Sequence, residues 1–280
     1  MTVTYTIRTP DDVVAVATAL SGAWFRGHYK AVGELTPRVF RRDIAQSPAA
    51  KRERFIELAT VETFKRDAVA LADDPIPERG DWLAELSLMQ HHLVPTRLLD
   101  WTESPLVALY FALAGDPESD GELWAMNPAA LNEAAGVGYA LPQLGRNRIL
   151  SFLTQEPFYE DNPAGLLATL ELPVRPVRPA AFEPIRAFPR MIAQLSEFTV
   201  HPRPSVGNTI PELLPDPRDL VRYVLPAACK RPLLELLWAL GVRHHAIFPA
   251  LDSVGRQLVS DLGMPPFARQ APPTASGPWP

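Results

Sequence analysis

Hydrophobic and polar positions alternate over Val3-Thr4-Tyr5-Thr6-Ile7, which predicts a first strand. The period then changes. Thr9-Pro10-Asp11-Asp12 predicts a helix start: Thr9 can cap, Pro10 suits the first helical position and Asp12 sits where a capping box places an acid. Val13, Val16, Ala17 and Leu20 give that helix its apolar face, and Gly22 can end it. Ala23 to Gly27 reads as a short strand with Trp24 and Arg26 on one face and Phe25 on the other. Ser47-Pro48 predicts a longer helix with Phe55, Leu58, Val61 and Phe64 inward and Lys65 and Arg66 on a solvated face.

Asp81 predicts a cap for a helix reaching Met89, and Ser104-Pro105 starts another, with Leu106, Leu109, Tyr110 and Leu113 inward and Gly115 as its stop. Gly121 to Met126 reads as a strand and Asn127-Pro128 as a helix start. Between Gly136 and Pro163 the pattern predicts loops with a short helix. Leu167 to Val174 alternates like a strand, and Met191 to Val200 predicts one or two more. A Pro-rich excursion from Pro202 to Pro217 precedes helices over Pro232–Leu240 and Pro249–Leu262. Helices and strands mix without regular alternation, which predicts an α+β fold: mixed or antiparallel small sheets packed with helices. Positions 1–264 are expected to form one domain, and the Pro-, Ala- and Ser-rich stretch 265–280 a disordered tail.

Composition narrows the function. A chain of 280 residues with 47% hydrophobic content can bury a sizeable core. Its net charge of −5 argues against a sequence-independent grip on DNA phosphates. Cys229 is the only cysteine, so neither an intramolecular disulfide nor a Cys-based zinc site is expected. The first residues lack a basic region followed by an apolar core, and no apolar run is long enough to cross a bilayer. The expectation is a soluble cytoplasmic protein that uses no metal.

The chemistry concentrates in two runs. In Trp24-Phe25-Arg26-Gly27, Arg26 can grip a phosphate or carboxylate with paired donors, and Gly27 lets a backbone or ligand approach closely. The plainer alternative is a surface Arg or one bonded to a buried carboxylate. In the second run, Gln90, His91, His92, Thr96, Arg97, Asp100 and Thr102 stand close together around Pro95. Two adjacent histidines cannot share a face, so a His-His metal pair is not expected, but either can act as base or donor. Asp100 can pair with Arg97, either to fix its fork for a ligand or to clamp a strand–helix junction. Trp101 reads more as a core aromatic than as a stacking platform. Farther on, Gln194 and Glu197 interrupt an apolar strand-like stretch, which asks for a partner or a task. The alternative there is a turn with Glu197 exposed. No Walker loop, Gly-x-Gly-x-x-Gly, His-Glu-x-x-His or Gly-x-Ser-x-Gly elbow occurs.

Phe25-Arg26-Gly27, Gln90-His91-His92, Pro95-Thr96-Arg97-Leu98-Leu99-Asp100-Trp101-Thr102, Ala108-Leu109-Tyr110-Phe111-Ala112, Arg190, Ile192-Ala193-Gln194, Phe198-Thr199 and Ile247-Phe248-Pro249 occur in that order. In these the chain resembles the FRG domain family, named for its Phe-Arg-Gly triplet, from about Val13 to Leu262. It departs at Leu93 and Ser196, where the family tends to carry glycine. A weaker, fold-level likeness to ADP-ribosyltransferases of the Arg-Ser-Glu type implies a similar core and a set of roles. Arg26 would hold the phosphates of NAD and Thr96 would support the nicotinamide pocket. The late ribose-orienting group would fall among Gln194, Glu197 and Glu171. The expected site is therefore catalytic His92, Gln194 and Glu197, with Arg26, Gly27, Gln90, His91, Thr96, Arg97 and Asp100 binding the nucleotide. The expected function is an intracellular effector that binds NAD as substrate and transfers or hydrolyses ADP-ribose, in a toxin or phage-defence setting, on an acceptor the sequence does not name. Two rivals stand beside it: a non-catalytic module for a nucleotide or nucleic-acid end, and a metal-independent hydrolase or nuclease using His91 or His92 with Asp100.

Overall fold

Thr9 caps the first helix as its sequence predicts: its hydroxyl accepts from the Asp12 amide at 3.2 Å and the Asp12 carboxylate accepts from the Thr9 amide at 2.9 Å. The computed structural model describes residues 2–46, 56–68, 81–139, 141–142, 147–159, 162–203 and 205–262. In chain order the elements are β1 (Thr4–Thr6), α1 (Pro10–Ala19), β2 (Trp24–His28), α2 (Arg42–Ala45), α3 (Ile56–Ala68), α4 (Trp82–His91), β3 (Leu98–Thr102), α5 (Pro105–Leu113), β4 (Gly121–Met126), α6 (Pro128–Ala135) and α7 (Arg148–Gln155). There follow α8 (Pro163–Thr169), β5 (Ala180–Phe182), α9 (Pro189–Ala193), β6 (Ser196–Val200), α10 (Ile210–Leu213), β7 (Leu220–Leu225), α11 (Ala227–Ala239), α12 (His244–Ile247) and α13 (Leu251–Leu262). The class is α+β. The strands join in one seven-stranded sheet, ordered β1-β7-β4-β2-β3-β6-β5, and only β1 and β7 run parallel.

Strand register and alternation define the two faces of the sheet. On the front, Phe25, Leu123, Ala125 and Val221 pack under Ala108, Leu109 and Ala112 of α5 and Leu233 and Leu237 of α11. Farther along the same face, Leu98, Phe198 and Phe182 pack under Leu83 and Leu86 of α4, Leu150 and Leu153 of α7 and Met191 of α9. The seam between these two front clusters runs where β2 meets β3. On the back, Trp24, Trp124, Leu99 and Trp101 pack with Leu131 of α6 and Ile210 of α10, so Trp101 is a core aromatic.

Several expectations are corrected. Leu167 to Val174 is not a strand: Pro163 and the Asn162 side chain, which accepts from the Gly165 amide at 2.9 Å, start α8, and the chain then turns through Glu171 at φ 51°. Met191 to Val200 is half a short helix, α9, and half a strand, β6. The strands β5 and β7 carry no strong alternation signal, since β5 has only three residues and β7 is buried at both ends but partly open at its centre. The helix expected from Pro232 begins earlier, at Ala227, and carries that proline inside at the cost of one main-chain hydrogen bond. Lys65 is not purely solvated, because its ammonium bonds the buried Glu85 at 2.5 Å. The Ser47-Pro48 helix start and the tail at 265–280 lie outside the described residues. Among the described residues no helix is long and apolar enough to cross a membrane.

Candidate functional site

The site is a split in the sheet. β2 pairs with β4 along its whole length, from Trp24↔Met126 to His28↔Glu122, but with β3 at the single position Phe25↔Thr102. Beyond that pair the two strands diverge, and the Arg26 side chain enters the gap. Its Nη1 donates to the Asp100 carbonyl at 2.8 Å and stands 3.6 Å from the Asp100 carboxylate. That carboxylate is held from the other side by a relay. Gln90 Nε2 donates to Asp100 Oδ2 at 2.8 Å, the Thr96 hydroxyl donates to Gln90 Oε1 at 2.6 Å, and the Leu98 amide donates to Thr96 Oγ1 at 3.1 Å. Asp100 Oδ1 accepts nothing among the described residues.

Around this pair lies a cavity of about 300 Å³, the low end of ligand-pocket size. Phe25, Val107 and Phe111 give it an apolar wall; Arg26, Arg38, Arg41 and Arg190 give it four guanidinium groups around the one carboxylate of Asp100. Arg38 Nη1 donates to the Leu93 carbonyl at 3.1 Å and Arg41 Nε to the Thr36 carbonyl at 3.0 Å, which leaves each with further donors. Arg190 is half-buried, lies 4.8 Å over the Phe248 ring and makes no hydrogen bond among the described residues. Burial pushes the pKa of Arg26 and of Arg190 down, and the negative Asp100 offsets part of that in both. A half-buried guanidinium with five open donors is a place for an anion. His28 and Tyr29 stack at 5.1 Å along the wall, and Lys230 Nζ fixes that turn by donating to the Tyr29 carbonyl at 2.7 Å.

The structure brings together Arg26, Gly27, Gln90 and Asp100, together with Gln194, places His91 on a small recess that shares Gln90 and Asp100 with the cleft, and separates Thr96, Arg97, His92 and Glu197 from it. Gly27 faces a backbone and not only the cavity: a Cβ there would lie 1.7 Å from the Ala108 carbonyl of α5. Thr96 does not line the cavity; it is buried beneath it and orients Gln90. The threonine that does line it is Thr102, whose hydroxyl donates to the Gln194 carbonyl at 2.6 Å. Arg97 is not a ligand group and does not pair with Asp100. It is buried and saturated by Glu57 at 2.7 and 3.0 Å, Glu156 at 3.2 Å and the Leu153 carbonyl at 2.7 Å. Burial works against its charge, yet the two carboxylates prevail and its pKa is raised. His91 stacks on Phe188 at 4.6 Å at the edge of the site, and the exposed His92 lies against Phe64, away from the cavity.

Glu197 stands on the opposite face of β6 from Ser196, so it does not reach the cavity. It is buried, neither exposed nor at a turn; its Oε1 accepts from Arg186 at 2.6 Å and its Oε2 has no partner. Burial pushes its carboxyl up to about 8 against the pull of Arg186. Gln194 lines the cavity with its amide donating to the Ile247 carbonyl at 3.1 Å. Glu171 is a surface residue paired with Arg148. His201 completes a buried chain behind the gap: Trp101 Nε1 donates to Thr199 Oγ1 at 3.1 Å, and that hydroxyl lies 2.8 Å from His201 Nε2. Burial, with Arg26 and Arg97 nearby, pushes His201 down to about 3, so its imidazole is neutral.

Arg38 and Arg41 are the site residues that motif reading misses. The only signal is compositional: Arg38, Arg41 and Arg42 cluster shortly after the Phe-Arg-Gly triplet. Among the described residues no group of three His, Cys, Asp or Glu side chains could hold a metal ion. No curated protein and no solved structure matches the chain. A family match covers residues 21–121, which takes in the diverging strands, the Thr96–Gln90–Asp100 relay and α5 but stops short of Arg190 and Gln194. Over those residues the chain carries an FRG domain.

Proposed function

We propose that the cleft binds a nucleotide through its phosphates, and that the nucleotide is NAD, from which ADP-ribose is released by breaking the nicotinamide–ribose bond. The observation that carries this is the set of four guanidiniums converging on a cavity with one carboxylate, Asp100, held by its own relay. Two phosphates suit a cluster whose donors exceed its internal acceptors. A cavity of about 300 Å³ takes the nicotinamide–ribose half, and the rest of the dinucleotide lies across the open side toward Arg38 and Arg41. Asp100 then serves as the carboxylate that stabilises positive charge developing on the ribose. Glu197 takes no part in this reading.

The test is calorimetry of NAD, ADP-ribose and free nicotinamide against the whole chain. NAD and ADP-ribose should bind, free nicotinamide should bind far more weakly, and Arg190→Ala should weaken ADP-ribose binding tenfold or more. Absence of any NAD or ADP-ribose binding ends the proposal. A second reading, nucleotide binding without chemistry, is favoured by one fact: the Gln194 amide is already committed to Ile247. It prevails if NAD binds and no nicotinamide is released, with or without cell extract supplied as acceptor.

A further inference from the structure

A small recess opens off the main cleft on the front of the sheet, under α4 and α9. It measures about 30 Å³ and is bordered by Ser87, Gln90, Asp100, Arg190, Ser196 and Phe198. It shares Gln90, Asp100, Arg190, Gln194 and Ser196 with the cleft, so whatever occupies it adjoins whatever occupies the cleft. A water needs roughly 10–15 Å³ of such space and two to four polar partners. The recess supplies a carboxylate, a guanidinium, an amide and a hydroxyl. It is too small for a protein side chain.

Resting on the reading of the cleft as an NAD site, we infer that the acceptor of ADP-ribose is water held in this recess, with Asp100 as its general base. Asp100 is suited by its geometry. Gln90 fixes Oδ2 at 2.8 Å, Oδ1 carries no hydrogen bond among the described residues, and Asp100 borders the recess. In the reaction the water oxygen bonds to C1′ of the nicotinamide ribose. The C1′–N bond breaks, its electron pair stays on the pyridine nitrogen, and nicotinamide leaves uncharged. The water's proton passes to Asp100 Oδ1 and then to solvent. The products are ADP-ribose, nicotinamide and a proton, and no oxidant or metal is consumed. Gln90 and Thr96 are positioning residues in this scheme, because they act through Asp100.

The experiment incubates the whole chain with NAD and no macromolecular acceptor, in water and in methanol–water mixtures. ADP-ribose should form in step with nicotinamide, and the methyl glycoside should form at less than the methanol share of the solvent, because the recess excludes the larger nucleophile. Asp100→Asn should lower hydrolysis about a hundredfold or more while still binding NAD, the usual contribution of a general base. Ser196→Val, which replaces the recess hydroxyl by methyl groups, should lower hydrolysis with the melting temperature retained. The inference is overturned if NAD binds but nicotinamide appears only when a macromolecule is supplied and becomes ADP-ribosylated, or if Asp100→Asn turns over like wild type. If NAD does not bind at all, the parent reading has failed first, and the calorimetry separates that case from the others.

Discussion

Arg26 and Arg97 look alike in the sequence: each stands in a short strand-like run beside large apolar residues, and each can grip a phosphate. The structure gives them opposite fates. Arg97 spends its donors on two carboxylates and a carbonyl in the interior, whereas Arg26 makes one carbonyl contact and stands 3.6 Å from a carboxylate that Gln90 already holds. What separates a structural arginine from a binding one here is the number of fixed acceptors within reach. Neither burial nor the motif decides it, since Arg26 is itself largely buried.

The largest effect expected from this contrast is on folding. Arg97→Ala strands the Glu57 carboxylate and takes from Glu156 one of its two arginine partners, leaving it Arg175, and breaking a buried pair of this kind costs about 3–5 kcal/mol. Arg97→Lys should recover only part, because a point charge cannot bridge two carboxylates and a carbonyl in one plane. Arg26→Ala should cost about 1 kcal/mol of stability, the scale of one hydrogen bond, yet weaken NAD or ADP-ribose binding by roughly 10- to 150-fold, the scale of a charged one. Urea denaturation and calorimetry on both variants decide the matter. If Arg97→Ala folds normally and loses ligand, the two roles are reversed.

The same count of partners explains what could be read in advance. Caps and apolar periods place α1, α5, β4 and α6 because those signals are local: Thr9, Ser104 and Asn127 each bond an amide two or three residues away. The pairing of Arg26 with Asp100 and the exclusion of Arg97 depend on Glu57 and Glu156, which no local pattern connects to Arg97. Likewise Glu197 is a candidate by composition, but the one-residue step from Ser196 puts it on the wrong side of β6. Thr102 stood in the same run as Thr96, and only the register Phe25↔Thr102 tells which of them meets the cleft. Of the two departures from the FRG pattern, Leu93 carries backbone strain, at φ 63°, whereas Ser196 is ordinary strand and the left-handed residue there is its neighbour Leu195, at φ 45°.

A subtler contrast sets the two faces of β6 against each other, and pH reads it. With its folded pKa raised to about 8, Glu197 keeps its proton in the folded chain after the unfolded chain has lost it. Its stabilising effect is fully present below its ordinary carboxyl range and declines as pH rises toward 8, then levels off once the folded form ionises as well. Glu197→Gln removes the proton equilibrium and keeps an acceptor for Arg186. It should therefore be about as stable as wild type at pH 4.5 and more stable than wild type at pH 8, with a higher melting temperature there. NAD hydrolysis should be unchanged, since Glu197 faces away from the cleft. Loss of turnover in Glu197→Gln with unchanged stability would return this residue to the active site and collapse the distinction between the faces.

The smallest effect tests a third arginine, Arg38, whose partner is a single carbonyl. That partner is Leu93, whose backbone is left-handed and which is 67% exposed. A branched side chain in that region costs about 1–2 kcal/mol, and replacing it with glycine gives back roughly 0.5–1 kcal/mol through the freedom of the unfolded chain. Leu93→Gly should therefore raise stability by about 0.5–1 kcal/mol, the difference between those two terms. Because Arg38 is held by the main-chain carbonyl, which glycine also has, affinity for ADP-ribose should not change. Chemical denaturation and calorimetry measure the two together. A stability gain with a loss of affinity would mean that the Leu93 side chain, which borders the cavity, is itself a wall for the ligand; Arg38 would then count among the residues placed by packing, as Arg97 is, and the partner-counting rule would fail for the residue it was meant to extend to.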